Sequence, residues 1–219
     1  MRVSPLTLAA LVVSMAIPVF AEEWIDFVSK DDRFTCNFPG QPKVTETTYT
    51  SEYGAALPAR VYSAEVGSSR YSMTVADYNY TQKLLTEKVK ACDAGPDACR
   101  RESNGLDLRW HQDMAGAITY ATGKMIEGRD VTVTMLISAW MDRVEGHHLQ
   151  LTNKADKSRT YASIYMHENK LYIMEGTVPP GSPEPALFQQ SLGFIDENGK
   201  NIRYSSLYRN GYPAPPRAR

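Results

Sequence analysis

Apolar and polar residues alternate with period two over most of this chain, and in two stretches the period lengthens to that of a helix. Trp24–Val28 and Phe34–Phe38 read as strands around the polar turn Lys30-Asp31-Asp32-Arg33, and Pro39-Gly40-Gln41-Pro42 stops the second. Val44–Ser51 is threonine-rich and β-prone. Arg60–Val66 and Arg70–Tyr78 predict a hairpin around Gly67-Ser68-Ser69, with Tyr71, Met73 and Val75 alternating. Thr81 can then cap a helix whose apolar stripe is Leu85, Val89 and Cys92. A second helix over residues 107–126 carries Trp110, Met114, Ala117, Ala121 and Met125 at helical spacing.

Strands resume after Gly128-Arg129-Asp130, where Val131, Val133, Met135 and Ile137 are expected on one face. His147–Thr152 is a shorter strand, followed by a charged turn from Lys154 to Ser158. Thr160–Met166 and Leu171–Val178 predict a second hairpin turning at Glu168-Asn169, because asparagine tolerates positive φ. Pro179-Pro180-Gly181 breaks the chain, and Ser182 is placed to cap a last helix beginning at Pro183, with Phe188, Leu192 and Ile195 inward. Residues 199–219 lack a core pattern and are expected to form a mobile tail. The predicted class is α+β, a single antiparallel sheet of about seven strands with two or three helices packed on it. Residues 22–198 are expected to form a single domain.

Residues 1–21, MRVSPLTLAALVVSMAIPVFA, change the setting of that domain. One basic residue precedes an apolar run from Leu6 to Phe20, and Val19 and Ala21 supply small side chains where a signal peptidase reads. The run falls short of the ~20 apolar residues of a membrane span, and no other stretch is long enough. A signal peptide is expected, with a periplasmic or secreted mature chain that has no transmembrane segment. The 24 basic and 25 acidic residues leave no long-range attraction for nucleic acid.

Export bears on the cysteines. Cys92 and Cys99 flank Gly95-Pro96, a break that lets the chain reverse and brings two residues seven apart within disulfide reach. In an oxidising compartment a Cys92–Cys99 bridge is the expected state, stabilising by ~2.5 kcal/mol through loop closure. A zinc site would need two further ligands, and a redox pair usually has Cys-x-x-Cys spacing. Cys36 alternates with Phe34 and Phe38 and is expected to be a buried thiol.

Two segments carry a resemblance. F-x-x-x-FPG-x-P, Phe34 to Pro42, and KLYIMEGTVPPGSPEPALFQQSLGFID, Lys170 to Asp196, resemble a group of small exported bacterial proteins of uncharacterised function. The layout of that group is similar to the PsbP-like α-β-α sandwich. The resemblance implies a fold and a compartment. It supplies no catalytic residue, and a shared fold does not establish a site.

Motifs that carry chemistry are sparse in this chain. His147 and His148 are adjacent on a strand and point to opposite faces, so they cannot grip one ion, and His111 and His167 belong to other elements. There is no Gly-x-Ser-x-Gly elbow, Ser-x-x-Lys or glycine-rich phosphate loop. Glu175 is the exception: it interrupts an apolar strand on the face of Ile173, as a solvated edge residue or a partly buried acid. Thirteen tyrosines outnumber six phenylalanines, and Tyr62, Tyr78, Tyr161 and Tyr165 are expected to alternate outward as a binding surface, with Tyr208, Arg209 and Tyr212 of the tail as docking residues. No catalytic, cofactor-binding or metal-binding residue is assigned, and no cofactor is implied. The expectation is an exported, non-enzymatic periplasmic protein binding a partner protein, an envelope component or a small ligand. The alternative is an envelope hydrolase or other enzyme with an unrecognised site.

Overall fold

The structure, a computed structural model, describes residues 23–90 and 106–218 of the 219-residue chain. Among these it contains ten strands in two antiparallel sheets and few helices, so the fold is mostly β, which corrects the expected α+β class built on a single sheet. Strands β3 (Lys43–Thr50), β4 (Ala56–Val66), β5 (Ser69–Asp77), β6 (Val131–Met141), β7 (Val144–Asn153), β8 (Arg159–His167) and β9 (Lys170–Val178) form the larger sheet, in the order β3-β4-β5-β9-β8-β7-β6. Strands β1 (Trp24–Ser29), β2 (Phe34–Pro39) and β10 (Gly193–Phe194) form the smaller, in the order β1-β2-β10.

The separation has a local cause. After β2 the chain passes Gly40 at φ 82, between two prolines, and this bend carries the first hairpin out of the plane of the strands that follow. Instead of extending the larger sheet at an edge, the β1–β2 hairpin lies on its face. Phe34, Cys36 and Phe38 are fully buried there, against Tyr62, Met73 and Tyr172 of the larger sheet. Ring pairs fix the stacking: Phe34 meets Tyr62 edge-on at 5.0 Å, and Phe38 meets Phe188 at 5.2 Å.

Helices cover the opposite face. Helix α1 (Thr81–Lys90) follows a 3₁₀ turn over Tyr78–Tyr80, which Asp77 caps by accepting from the Asn79 amide at 2.9 Å. Helix α2 (Leu106–Ile126) buries Ala117, Ile118, Ala121 and Met125 against Leu149, Leu151, Ile164 and Ile173, as its spacing predicts. The result is three layers: helices, the seven-stranded sheet, the three-stranded sheet. Strands β8 and β9 are therefore buried on both sides.

Three further differences follow from local chemistry. The last helix, α3, is only Ala186–Gln189, because Glu184 precedes Pro185 and is pushed towards extended backbone. Leu192 and Ile195 are buried as expected, but outside that helix. Gly193 pairs with Thr35 in β10, where a side-chain carbon would come within 2.6 Å of the Thr35 hydroxyl. In β6 a bulge between Val133 and Met135 reverses the alternation, so Met135 and Ile137 face away from the side that Val131 and Val133 share.

The C-terminal segment expected to be mobile packs on the domain. Ile202 and Tyr204 are buried in the core beneath the smaller sheet. The Tyr208 amide donates to the Arg143 carbonyl at 2.8 Å, and its own carbonyl accepts from the Glu145 amide at 2.9 Å. Asn210 Nδ2 donates to the Met114 and Ala115 carbonyls of α2 at 2.8 and 3.0 Å. Few of these residues are aliphatic, so the packing is aromatic and hydrogen-bonded, which an aliphatic pattern does not reveal. No helix of the described residues is long and apolar enough to cross a membrane.

Candidate functional site

The four tyrosines expected to face outward are buried: Tyr62 at 3%, Tyr78 at 1%, Tyr161 at 4% and Tyr165 at 0% exposure. Alternation assigned them correctly to a face opposite their aliphatic neighbours where β8 is concerned, but that face is covered by the second sheet and the C-terminal segment. The hydroxyls of Tyr62 and Tyr165 are used internally. Tyr62 donates to Asp32 at 2.6 Å, and burial together with that bond raises its pKa to about 12. Tyr165 shares a hydrogen bond of 2.7 Å with His148 Nε2. Tyr161 lies under the Arg159 guanidinium, 5.5 Å from the ring centroid. In the C-terminal segment Tyr208 is half-buried, whereas Arg209 and Tyr212 are exposed.

The histidines are dispersed as their positions predict. His147 Nδ1 meets Thr122 of α2 at 2.9 Å, while His148 faces the other layer. His167 is fully buried, stacked on Phe194 at 4.3 Å and bonded to the Tyr204 hydroxyl at 2.7 Å. Burial, with Arg217 nearby, lowers its pKa to about 3. Among the described residues no three metal-ligating side chains converge. Cys36 is buried, and that burial raises its thiol pKa to about 12, far from the thiolate that reacts. Cys92 and Cys99 lie outside the described residues.

A buried polar cluster lies under the helices. Asp113 of α2 is fully buried, accepts from Ser51 Oγ at 2.5 Å, and has its pKa raised by burial. It ties the loop after β3 to α2, and nothing connects it to solvent as a site must be.

An open concavity lies elsewhere. Helix α2 ends at Ile126 and Gly128, at φ 72, terminates it, so the helical cover stops short of one end of the larger sheet. The uncovered sheet face forms a cleft of about 670 Å³. Its floor comes from adjacent strands in register: Ser72 of β5 opposes Glu175 of β9, Arg70 opposes Thr177, and Thr177 opposes Thr160 of β8. Thr160 and Thr177 share a hydroxyl–hydroxyl hydrogen bond of 2.8 Å. Arg129, just past the helix, reaches over the cleft to Glu175 at 3.1 Å, with Glu175 27% exposed and Arg129 41%. Arg70 stands exposed on the rim. The cleft thus offers two guanidiniums, the Glu175 carboxylate on its floor with Glu65 and Asp130 also among its lining residues, and a row of hydroxyls.

Glu175 was the one member visible from the sequence, as a charge within an apolar strand. Arg70, Ser72, Arg129, Thr160 and Thr177 were not singled out. Polar residues at alternate positions read as an ordinary solvated face, and only the point where α2 stops turns that face into a cleft. No family model matches the chain, and no curated protein is significantly similar to it.

Proposed function

We propose that this is an exported, non-enzymatic protein of the periplasm that binds a small polar ligand in the cleft over β5, β8 and β9. Export rests on the pattern of residues 1–21, and kinship with small exported bacterial proteins on the Phe34–Pro42 and Lys170–Asp196 motifs. The observation that carries the binding role is the Arg129–Glu175 pair set over a hydroxyl-lined floor, beside Arg70. Guanidiniums meet carboxylate or phosphate oxygens in a planar fork. A carboxylate and threonine hydroxyls meet ligand hydroxyls. The class that satisfies both is a small hydroxylated organic anion.

Isothermal titration of the purified protein against hydroxycarboxylates and sugar phosphates tests this. Binding by one class is expected, weakened about tenfold or more by Arg70→Ala and by Glu175→Gln, since a hydrogen bond to a charged group contributes ~1.5–3 kcal/mol. Binding that survives both substitutions unchanged, or no binding by either class, refutes the assignment.

A further inference from the structure

Among the described residues, strand β6 is an outer edge of the seven-stranded sheet, paired on one side only, with β7. Its 11 residues, VTVTMLISAWM, include no charge. The opposite edge is different: β3, KVTETTYT, carries Lys43, Glu46 and a run of threonines. Charged residues on an edge discourage pairing with another chain, and β6 has none. Several of its apolar side chains are also uncovered. Val133 is 40% exposed, Leu136 49%, Ile137 48% and Trp140 50%.

The bulge distributes these residues over both faces. Leu136 opposes Leu149 and so shares the helix side, while Ile137 opposes His148 on the other. Helix α2 packs over β7, β8 and β9, and among the described residues the outer layers meet β6 only towards its ends, at Val131 and Met141. A partner docking on one face would leave the other wet, whereas a strand added alongside covers both.

We propose that β6 is a self-association edge, where two copies of the chain pair β6 to β6 in antiparallel fashion and join their seven-stranded sheets into one. A strand without charge has nothing with which to select a foreign partner, and a twofold axis sets its apolar row against an identical one. The charges that bracket the strand are already engaged within the chain: Asp130 with Lys154 at 3.0 Å and Asp142 with Arg203 at 3.7 Å. A net charge of −1 adds little repulsion between copies. An edge about 37 Å long, with side-chain rows totalling roughly 20 Å across, presents on the order of 700 Å² per copy, close to the ~800 Å² of a standard stable interface.

Sedimentation equilibrium and light scattering of the purified protein over a concentration series test the proposal. A doubled molar mass is expected, with Ile137→Lys and Leu136→Lys each raising the dissociation constant about tenfold or more and leaving the circular dichroism unchanged. These side chains stand on opposite faces and are half exposed, so both variants failing to fold is itself contrary to the proposal. Thr47→Lys on the β3 edge should leave the dimer intact. Hydrogen exchange should slow at alternate β6 amides as concentration rises. A monomer at every concentration, a dimer indifferent to both β6 lysines, or a monomer that pairs β6 with a different protein overturns it.

Discussion

Acidification should unfold this protein through His167. The ring is buried among Phe194, Tyr204 and Tyr208, and Arg217, paired with Glu168 at 3.1 Å, approaches from the C-terminal segment. A proton on it would bring a second positive charge beside Arg217 in a fully buried site. The folded pKa is lowered from 6.5 to about 3, chiefly by burial and then by Arg217. Because the unfolded chain takes up a proton below pH 6.5 and the folded chain refuses it, stability is full above that value and falls as pH drops towards 3. Well inside the window each pH unit removes about 1.4 kcal/mol, and moving from about pH 7 to roughly 4.5 removes about 2.5 kcal/mol. Against a typical total of ~5–15 kcal/mol this is a large fraction.

The assay is urea unfolding of the wild-type protein and His167→Gln at several pH values, followed by tryptophan fluorescence. Glutamine retains an amide towards the Tyr204 hydroxyl and does not titrate. The wild type should be the more stable at pH 7, and its advantage should shrink by about 2–3 kcal/mol by roughly pH 4.5. His147 and His148 are also lowered by burial, but they are present in both proteins and cancel in the difference. Parallel stability curves, or an NMR titration of the folded His167 ring with a midpoint near 6, would refute the reasoning.

Asp32, which accepts from Tyr62 and pairs with Arg60 at 3.1 Å and Lys170 at 3.4 Å, ties the first hairpin to the larger sheet; Asp32→Ala should cost about 3–5 kcal/mol in denaturant titration, since it strands partners in a largely buried network. A side-chain carbon at Gly146 would run into the Ile164 carbonyl and the Tyr165 ring, so Gly146→Ala should lower the stability by ~1–3 kcal/mol through overpacking, read as a lower melting temperature. Deleting Tyr208–Arg219 removes the bonds to Arg143, Glu145 and α2, and a loss of ~2 kcal/mol should lower the melting temperature by about 4–8 °C, where a truly loose tail would leave it unchanged. Cys36 should resist thiol reagents in the native protein and react once it is unfolded, as mass spectrometry of labelled protein will show.

The strands were legible because period two survives any tertiary arrangement. Tyr71, Met73 and Val75 share a buried face as their spacing says, and the turn at Glu168-Asn169 has both residues at positive φ, 46 and 61. Layering was not legible. Alternation tells which side chains share a face, and is silent on whether a hairpin joins a sheet at its edge or lies across it. That silence turned Tyr161 and Tyr165 into surface residues: Ala162, Ile164 and Met166 fill the helix side, and nothing in β8 announces that the other side is covered too. Tyrosine hides this well, since its ring packs as core while its hydroxyl bonds to Asp32, His148 or His167. The bulge at Thr134 left no signature among residues that are all β-prone.

Both faces of the larger sheet are largely consumed by packing, so binding has to occur where cover ends. Besides the exposed, charged β3 edge, cover ends in two places among the described residues, for different reasons. Gly128 stops α2 before the sheet does, and the exposed floor there is polar, with Arg70, Glu175 and hydroxyls in register. At β6 the sheet extends sideways past both layers, and the exposed row is apolar. A polar concavity suits a small hydrated ligand, and an uncharged strand edge suits another strand. The two are separable by experiment: lysine at Ile137 should dissociate copies without touching the cleft, and Glu175→Gln should weaken the ligand without changing the molar mass. If either substitution produced the other's effect, edge and cleft would be one coupled site, and the division of labour drawn from where the layers stop would fail.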